Sequence, residues 1–211
     1  MLTKILTDKV DREIITQIYG PPGSGKTNIC IINSINYIKD NGKVVYIDTE
    51  GGLSIKRILQ IENNHKLLEN LLVYNIFDFF EQDRIILKEL PKLANEIDLV
   101  VVDNITSLYR LELTDKADKN ITLNRMLGNQ IRTLLKLAKS YNIAVLITNQ
   151  GRETTNGFEA AGGNLLEYWS KCIIRLEKSK DYRVAYLEKH LYAPEEEIKF
   201  EIYEKGIRIL G

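Results

Sequence analysis

Gly20-Pro21-Pro22-Gly23-Ser24-Gly25-Lys26-Thr27 fits the pattern G-x-x-x-x-G-K-[ST] at every required position. Glycines let the backbone curl until several N–H groups point into one concavity, and a helix that starts there adds its positive end. In such a loop Lys26 reaches the β- and γ-phosphates of a nucleoside triphosphate, and the Thr27 hydroxyl ligates Mg²⁺. The flanks supply a context that a chance glycine turn lacks. Ile14–Tyr19 reads as a strand running into the loop, while Thr27–Lys39 is helical in length and apolar nearly all round. The whole octet, Gly20 through Thr27, is therefore the expected binding set for ATP and Mg²⁺.

Outward from the loop, short apolar runs alternate with helical stretches. Asn41-Gly42 stops the first helix. Val44–Ile47 is the next strand, then come a short helix over Ser54–Ile61, a strand over Leu71–Asn75, and a helix over Phe79–Glu96 that Pro91 bends or divides. Leu99–Val102 is an unbroken run of the kind buried on both faces of a parallel sheet. Leu127, Ile131, Leu134 and Ala138 recur at helical spacing, and Ala144–Thr148 is a further buried strand. Beyond it the pattern changes. Lys171–Leu176, Arg183–Glu188, Ile198–Tyr203 and Ile207–Leu210 follow closely without helices between them, and Ile198, Phe200 and Ile202 alternate as antiparallel strands do. The expected fold class is α/β: a mainly parallel central sheet flanked by helices, with C-terminal antiparallel strands at one edge.

Composition narrows the rest. The 211 residues are 44% apolar and 27% charged, ordinary for one globular core, and 29 basic side chains balance 29 acidic ones. Any nucleic-acid contact must then come from a local patch rather than from overall charge. Cys30 and Cys172 sit among apolar neighbours, which fits buried, reduced thiols better than a disulfide. No apolar run is long enough to span a bilayer and the first residues lack a signal peptide's apolar stretch, so a cytoplasmic protein with no membrane partner is expected.

Three strand tips carry further chemistry. Asp103 closes the Leu99–Val102 run at the carboxyl edge, where open α/β sheets bind ligands, and a carboxylate there can hold Mg²⁺ through water alongside Thr27. Glu50 follows Tyr46-Ile47-Asp48-Thr49 at the same edge. It is either the base that orients an attacking water or a solvated turn residue, and Asp48 is the rival base. Gln150 ends Ile147-Thr148-Asn149-Gln150, where an amide can register a γ-phosphate and pass its presence to the next loop.

Tyr46-Ile47-Asp48-Thr49-Glu50-Gly51 followed by Lys56-Arg57-Ile58, then Val101-Val102-Asp103-Asn104-Ile105, then Ile147-Thr148-Asn149-Gln150 and Gly162-Gly163-Asn164 form an ordered set. In that order these motifs resemble the RecA/RadA family of strand-exchange recombinases, over most of the chain. His190–Glu197 looks like the family's Pro-Glu-rich loop. The resemblance implies a single RecA-like P-loop ATPase core over residues 1–211. In it Lys26, Glu50 and Gln150 are the catalytic set, with Glu50 activating water and Gln150 as the γ-phosphate switch. It also implies that Arg57 stacks its guanidinium on adenine, beside the plainer reading of a solvated helix arginine. The family's two DNA-binding loops correspond roughly to Arg110–Asn124 and Gly151–Gly162, the second short, with Arg152 its only basic residue and Phe158 its only aromatic. Phe158-Glu159-Ala160-Ala161 fits the family's Phe-x-x-Ala polymerisation pattern but lies inside that loop, and is read as coincidence.

Family members also carry an N-terminal DNA-binding domain and a linker, whereas here the glycine loop already begins at residue 20. A core-only chain is most similar to the family's archaeal RadB branch. That likeness implies an accessory role in DNA repair and homologous recombination, with weak ATPase activity, DNA binding and no strand exchange. Implied partners are DNA and recombination proteins such as a recombinase or a Holliday-junction resolvase, with a homo-oligomer left open. The alternative is a KaiC-like single-domain signalling ATPase that does not bind DNA. Two basic groupings bear on the choice. Arg125, Arg132, Lys136 and Lys139 share one helix face, read first as the solvated side of an amphipathic helix. Lys171, Arg175, Lys178, Lys180, Arg183, Lys189 and His190 crowd the edge strands and are as well suited to phosphate contact as to solvent. Lys189 could instead reach a neighbouring subunit's phosphates.

Overall fold

The computed structural model describes residues 1–154, 157–160 and 164–210; for 152–154, 157–160 and 164 it describes the backbone alone. The apolar runs become the strands β1 (Ile15–Gly20), β2 (Val44–Asp48) and β4 (Leu99–Asp103), each buried at every position. With β3 (Leu71–Asn75) and β5 (Ala144–Thr154) they form a parallel block in the order β1-β5-β4-β2-β3. Alternate side chains feed two cores. Val44, Tyr46, Leu99, Val101 and Leu146 face one side, whereas Val45, Ile47, Val100, Val102, Val145 and Ile147 face the other.

The first core is covered by α1 (Leu2–Thr7), α2 (Lys26–Lys39) and α3 (Ile55–Ile61). The second is covered by α4 (Phe79–Arg84), α5 (Leu90–Leu93), α6 (Ser107–Glu112), α7 (Ala117–Tyr141) and α8 (Asn164–Trp169). Leu127, Ile131, Leu134 and Ala138 of α7 are all buried, as their spacing requires. Where one helix was expected over Phe79–Glu96, there are two short α-helices separated by a π-turn at Ile85–Glu89, and the second ends at Leu93. Pro91 has no N–H to give the preceding turn, and the widened turn lies immediately before it. Neither α1 nor α6, α8 and the 3₁₀ turn His65–Asn70 follows from the sequence patterns.

Four strands extend the sheet beyond β1: β7 (Cys172–Lys178), β8 (Arg183–Lys189), β9 (Glu196–Tyr203) and β10 (Gly206–Leu210). The expectation of an antiparallel edge holds for β8, β9 and β10 but is corrected for β7. That strand lies parallel to β1, with Thr16 opposite Cys172 and Tyr19 opposite Arg175, and antiparallel to β8. The connection through α8 returns the chain to the end of the sheet where β1 starts, which makes the parallel pairing possible. A short strand, β6 (Gly157–Ala160), pairs antiparallel with the end of β5. Cys30 and Cys172 are buried and free, and burial pushes the Cys172 thiol up to about 12. Among the described residues no helix is long and apolar enough to cross a membrane.

Candidate functional site

β1 ends at Gly20 and α2 starts at Lys26, so the glycine loop is the bridge between a buried strand and a buried helix. Two of its glycines are sterically required. A Cβ at Gly20 would lie 2.5 Å from the backbone oxygen of Leu176 on β7. Gly25 combines φ +109 with a Cβ position 3.0 Å from Ile202 Cδ1. No side chain caps the N-terminus of α2, so the N–H groups of its first turn are suited to an oxyanion. Lys26 is buried, and its Nζ donates to the carbonyls of Gly20 at 2.8 Å and Pro21 at 3.0 Å. Burial lowers the Lys26 pKa, while Asp103 and Glu50 pull it back up. Ser24 Oγ is buried in the same loop and has no hydrogen-bond partner among the described residues.

The strand tips converge on this loop. Asp103 is buried; its Oδ2 accepts from the Tyr46 hydroxyl at 2.8 Å and its Oδ1 from Thr148 Oγ1 at 2.5 Å. Burial and the Asp103 charge hold the Tyr46 pKa well up, so the phenol stays a donor. The next peptide, Asp103–Asn104, is cis, and Asn104 Nδ2 donates to Glu50 Oε1 at 3.2 Å. Gln150 Nε2 donates to the same Glu50 oxygen at 3.0 Å, and Gln150 Oε1 accepts from Arg110 Nη1 at 2.8 Å. A polar chain thus runs Arg110–Gln150–Glu50–Asn104. Asp48, the rival base, is buried and accepts from the backbone N–H groups of Glu50, Gly52 and Leu53 at 2.9–3.2 Å. It shapes the turn that carries Glu50.

A cavity of about 390 Å³ opens between these groups, lined by Lys26, Thr27, Glu50 and Gln150 and, from the far side, by Arg183 and Ile202. Arg57 lies just outside it. Its guanidinium donates to Asn28 Oδ1 at 2.9 Å, to Gln60 Oε1 at 2.5 Å, to the Glu204 carbonyl at 3.0 Å and to the Tyr203 carbonyl at 2.8 Å, so most of its edge is committed within the chain while its faces can still meet a base. No group of three or more His, Cys, Asp or Glu is arranged to hold a metal among the described residues. A Mg²⁺ here would draw on Thr27, on water held by Asp103 and on the nucleotide's own phosphates, a ligand set typical of that ion.

The basic cluster of the edge strands does not stay together. Arg175 is paired with Glu177 and Glu188, at 2.6 Å for the latter, and lies over the Tyr186 ring. Lys171 and Lys189 donate to the carbonyls of Tyr168 and Glu167. His190 packs beside Asp11, whereas Lys178 and Arg183 reach the glycine loop. β7 and β8 are antiparallel, so residues 178–183 sit at one end of the hairpin and 171 and 189 at the other. By contrast Arg125, Arg132, Lys136 and Lys139 share the exposed face of α7, as expected. Ile202, Tyr46 and Thr148 had no site role in the sequence reading, and Arg183 and Arg110 entered it only as candidate DNA contacts; the strands bring Tyr46, Thr148, Arg183 and Ile202 here, and α6 brings Arg110. Of the expected second loop, Gly151–Gly162, residues 155–156 and 161–162 lie outside the described residues, as does Gly163, and the side chains of Arg152 and Phe158 are likewise not described.

Residues 1–209 match the Rad51 family model. The chain belongs to the Rad51 family. It is 68% identical to the DNA repair and recombination protein RadB of Methanocaldococcus jannaschii, over all of both chains. It is 50% identical to the protein of the same name from Methanococcus maripaludis, over all of this chain and 99% of that one. A solved structure described as the crystal structure of the RadB recombinase matches with a TM-score of 0.79 at 32% identity, covering 98% of this chain and 94% of that one. The expected RecA-like fold, parallel at the centre and antiparallel at its C-terminal edge, is that of its family.

Proposed function

We propose that this Rad51-family chain is an accessory protein of DNA repair and homologous recombination. Residues 1–211 act as one core that binds Mg·ATP and hydrolyses it slowly. The bound state governs contact with DNA and with recombination proteins, and the chain does not itself exchange strands. The observation that carries the reading is the convergence of Lys26, Thr27, Glu50 and Gln150 on one cavity at the mouth of the glycine loop. Relatives named as DNA repair and recombination proteins support the cellular role.

In this reading Lys26 exchanges its two carbonyl partners for phosphate oxygens, and the first turn of α2 supplies N–H groups to the same oxyanions. Bound Mg²⁺ supplies neutralisation of phosphate charge. Thr27 and, through water, Asp103 are the residues that would hold it. Glu50 orients the attacking water and takes its proton. Asn104 and Gln150 both donate to Glu50 Oε1, so water must compete for that oxygen or use Oε2, which favours slow turnover. Arg110 ties Gln150 to the start of the expected first DNA loop, which offers DNA a route to that water. The exposed cations of α7 are the sequence-independent contact for its phosphates.

A titration of labelled DNA at about 50 and about 200 mM salt, with and without Mg·ATP, together with a strand-exchange assay, tests the proposal. Expected are binding that weakens steeply with salt, slow ATP turnover and no exchanged product. Efficient strand exchange by the purified chain, or no DNA binding at low salt, overturns it.

A further inference from the structure

The far wall of the nucleotide cavity is made by a strand that no nucleotide motif predicts. Arg183, the first residue of β8, lines the cavity. Its stem packs on the loop, with Cδ 3.7 Å from the place a Cβ would take at Gly25, and its Nε lies 3.3 Å from the Gly23 carbonyl. Among the described residues that is its one hydrogen bond, and it makes no ion pair. A guanidinium has five N–H donors, so both terminal nitrogens stay uncommitted at the mouth of a phosphate cradle. Lys178 at the end of β7 brings a second ammonium to the same loop, its Nζ 3.5 Å from the Cβ position of Gly23.

Charge makes the arrangement informative. The described charged side chains that line the cavity are Lys26, Arg183 and Glu50. Arg183 makes no ion pair with Glu50, whose Oε1 accepts from two amides instead. An arginine whose stem packs on the loop and whose Nε already donates to it is placed beside the cradle before any ligand arrives, which lowers the cost of binding an oxyanion through the remaining four N–H groups.

We infer that Arg183 is a second phosphate-binding cation of the nucleotide site, delivered by β8 of the same chain and directed at the triphosphate tail. The inference rests on the reading of this cavity as the ATP site. Arg183 makes contact with the phosphates and takes no part in proton transfer. It selects the triphosphate over shorter nucleotides because its donors lie across the cavity from Lys26.

Calorimetric titration of Mg·ATP, Mg·ADP and AMP into the full chain and three variants tests it. Arg183→Ala is expected to weaken Mg·ATP by roughly tenfold or more, Mg·ADP by less, and AMP not at all. Arg183→Gln keeps an N–H for the Gly23 carbonyl but has no charge, and is expected to behave like the alanine variant; Arg183→Lys recovers part of the loss. An Arg183→Gln protein that binds Mg·ATP like wild type makes Arg183 a structural latch and overturns the inference, as does equal weakening for all three nucleotides. Failure of the underlying reading has a different signature. Wild type then binds none of the three and Lys26→Ala changes nothing, which overturns both.

Discussion

At the carboxyl ends of the parallel strands, donors outnumber the acceptors that satisfy them: an uncapped helix start, the Ser24 hydroxyl and the Arg183 guanidinium all have capacity to spare. At the opposite ends lies a larger cleft, about 860 Å³, lined by Lys4, Asp11, Arg12, Tyr37, Lys139 and Tyr192. There the polar groups mostly answer one another. Lys4 pairs with Asp11 at 2.8 Å, Arg12 with Asp98 at 2.7 Å, and the Tyr192 hydroxyl donates to Asp11; His190 Nε2 lies 3.5 Å from the same carboxylate without a hydrogen bond among the described residues. The proposed site is therefore the smaller of these two cavities, distinguished by uncommitted donors around a glycine loop. The paired end holds β8, α1 and the segment before β1 together, so its charges serve stability.

The sharpest way to break this contrast is Lys26→Ala. It removes a buried ammonium from the open end, and Mg·ATP affinity is expected to fall by about 100-fold or more with all turnover lost, while the thermal midpoint holds. Calorimetry that finds wild-type affinity would remove the loop from the site. Next in size, Glu50→Gln is expected to lower turnover by about 10²-fold and leave Mg·ATP affinity within about twofold. Unchanged turnover in a phosphate-release assay would return Glu50 to the role of a turn residue.

The smallest effect tests the paired end. Burial holds His190 below its ordinary value of 6.5, with Asp11 opposing the shift. Asp11 lies below 3.8: burial would raise it, but Lys4 and Tyr192 more than offset that. A folded pKa below the unfolded one means stability is present at higher pH and lost as pH falls. His190 thus weakens the fold as pH drops through the region of 6.5 and below, and Asp11 adds a second loss below about 3.8. The thermal midpoint should fall between about pH 7.5 and about pH 5, and His190→Gln should flatten that slope. A slope unchanged in the variant would show that His190 is not its source.

The strand–loop–helix around the glycine loop was legible because its signals are local. A glycine loop lies between a strand and a helix, and acids stand at the tips of apolar runs. What was not legible depends on partners far away in the chain. α1 buries Leu2, Ile5 and Leu6, yet its last carbonyls are satisfied by Asn33 and Asn36 of α2 and its Leu2 N–H by Glu196. A six-residue helix without local caps leaves no trace in periodicity. The basic run 171–190 looked like one patch because sequence order hides the hairpin that sends its members to opposite ends of the sheet. Arg57 was placed on a base by resemblance, and the fold shows what else its edge is doing: it fastens the β9–β10 turn to α2.

Gly20 has a mechanical consequence. With the Leu176 carbonyl 2.5 Å from where its Cβ would stand, the floor of the phosphate cradle rests directly on the backbone of β7. β7 is hydrogen-bonded to β8, and β8 to β9, whose Phe200 and Ile202 press on Gly25. The outer strands and the glycine loop are therefore in one packed unit, so that on the proposed reading a tilt of that edge would be felt at the phosphates.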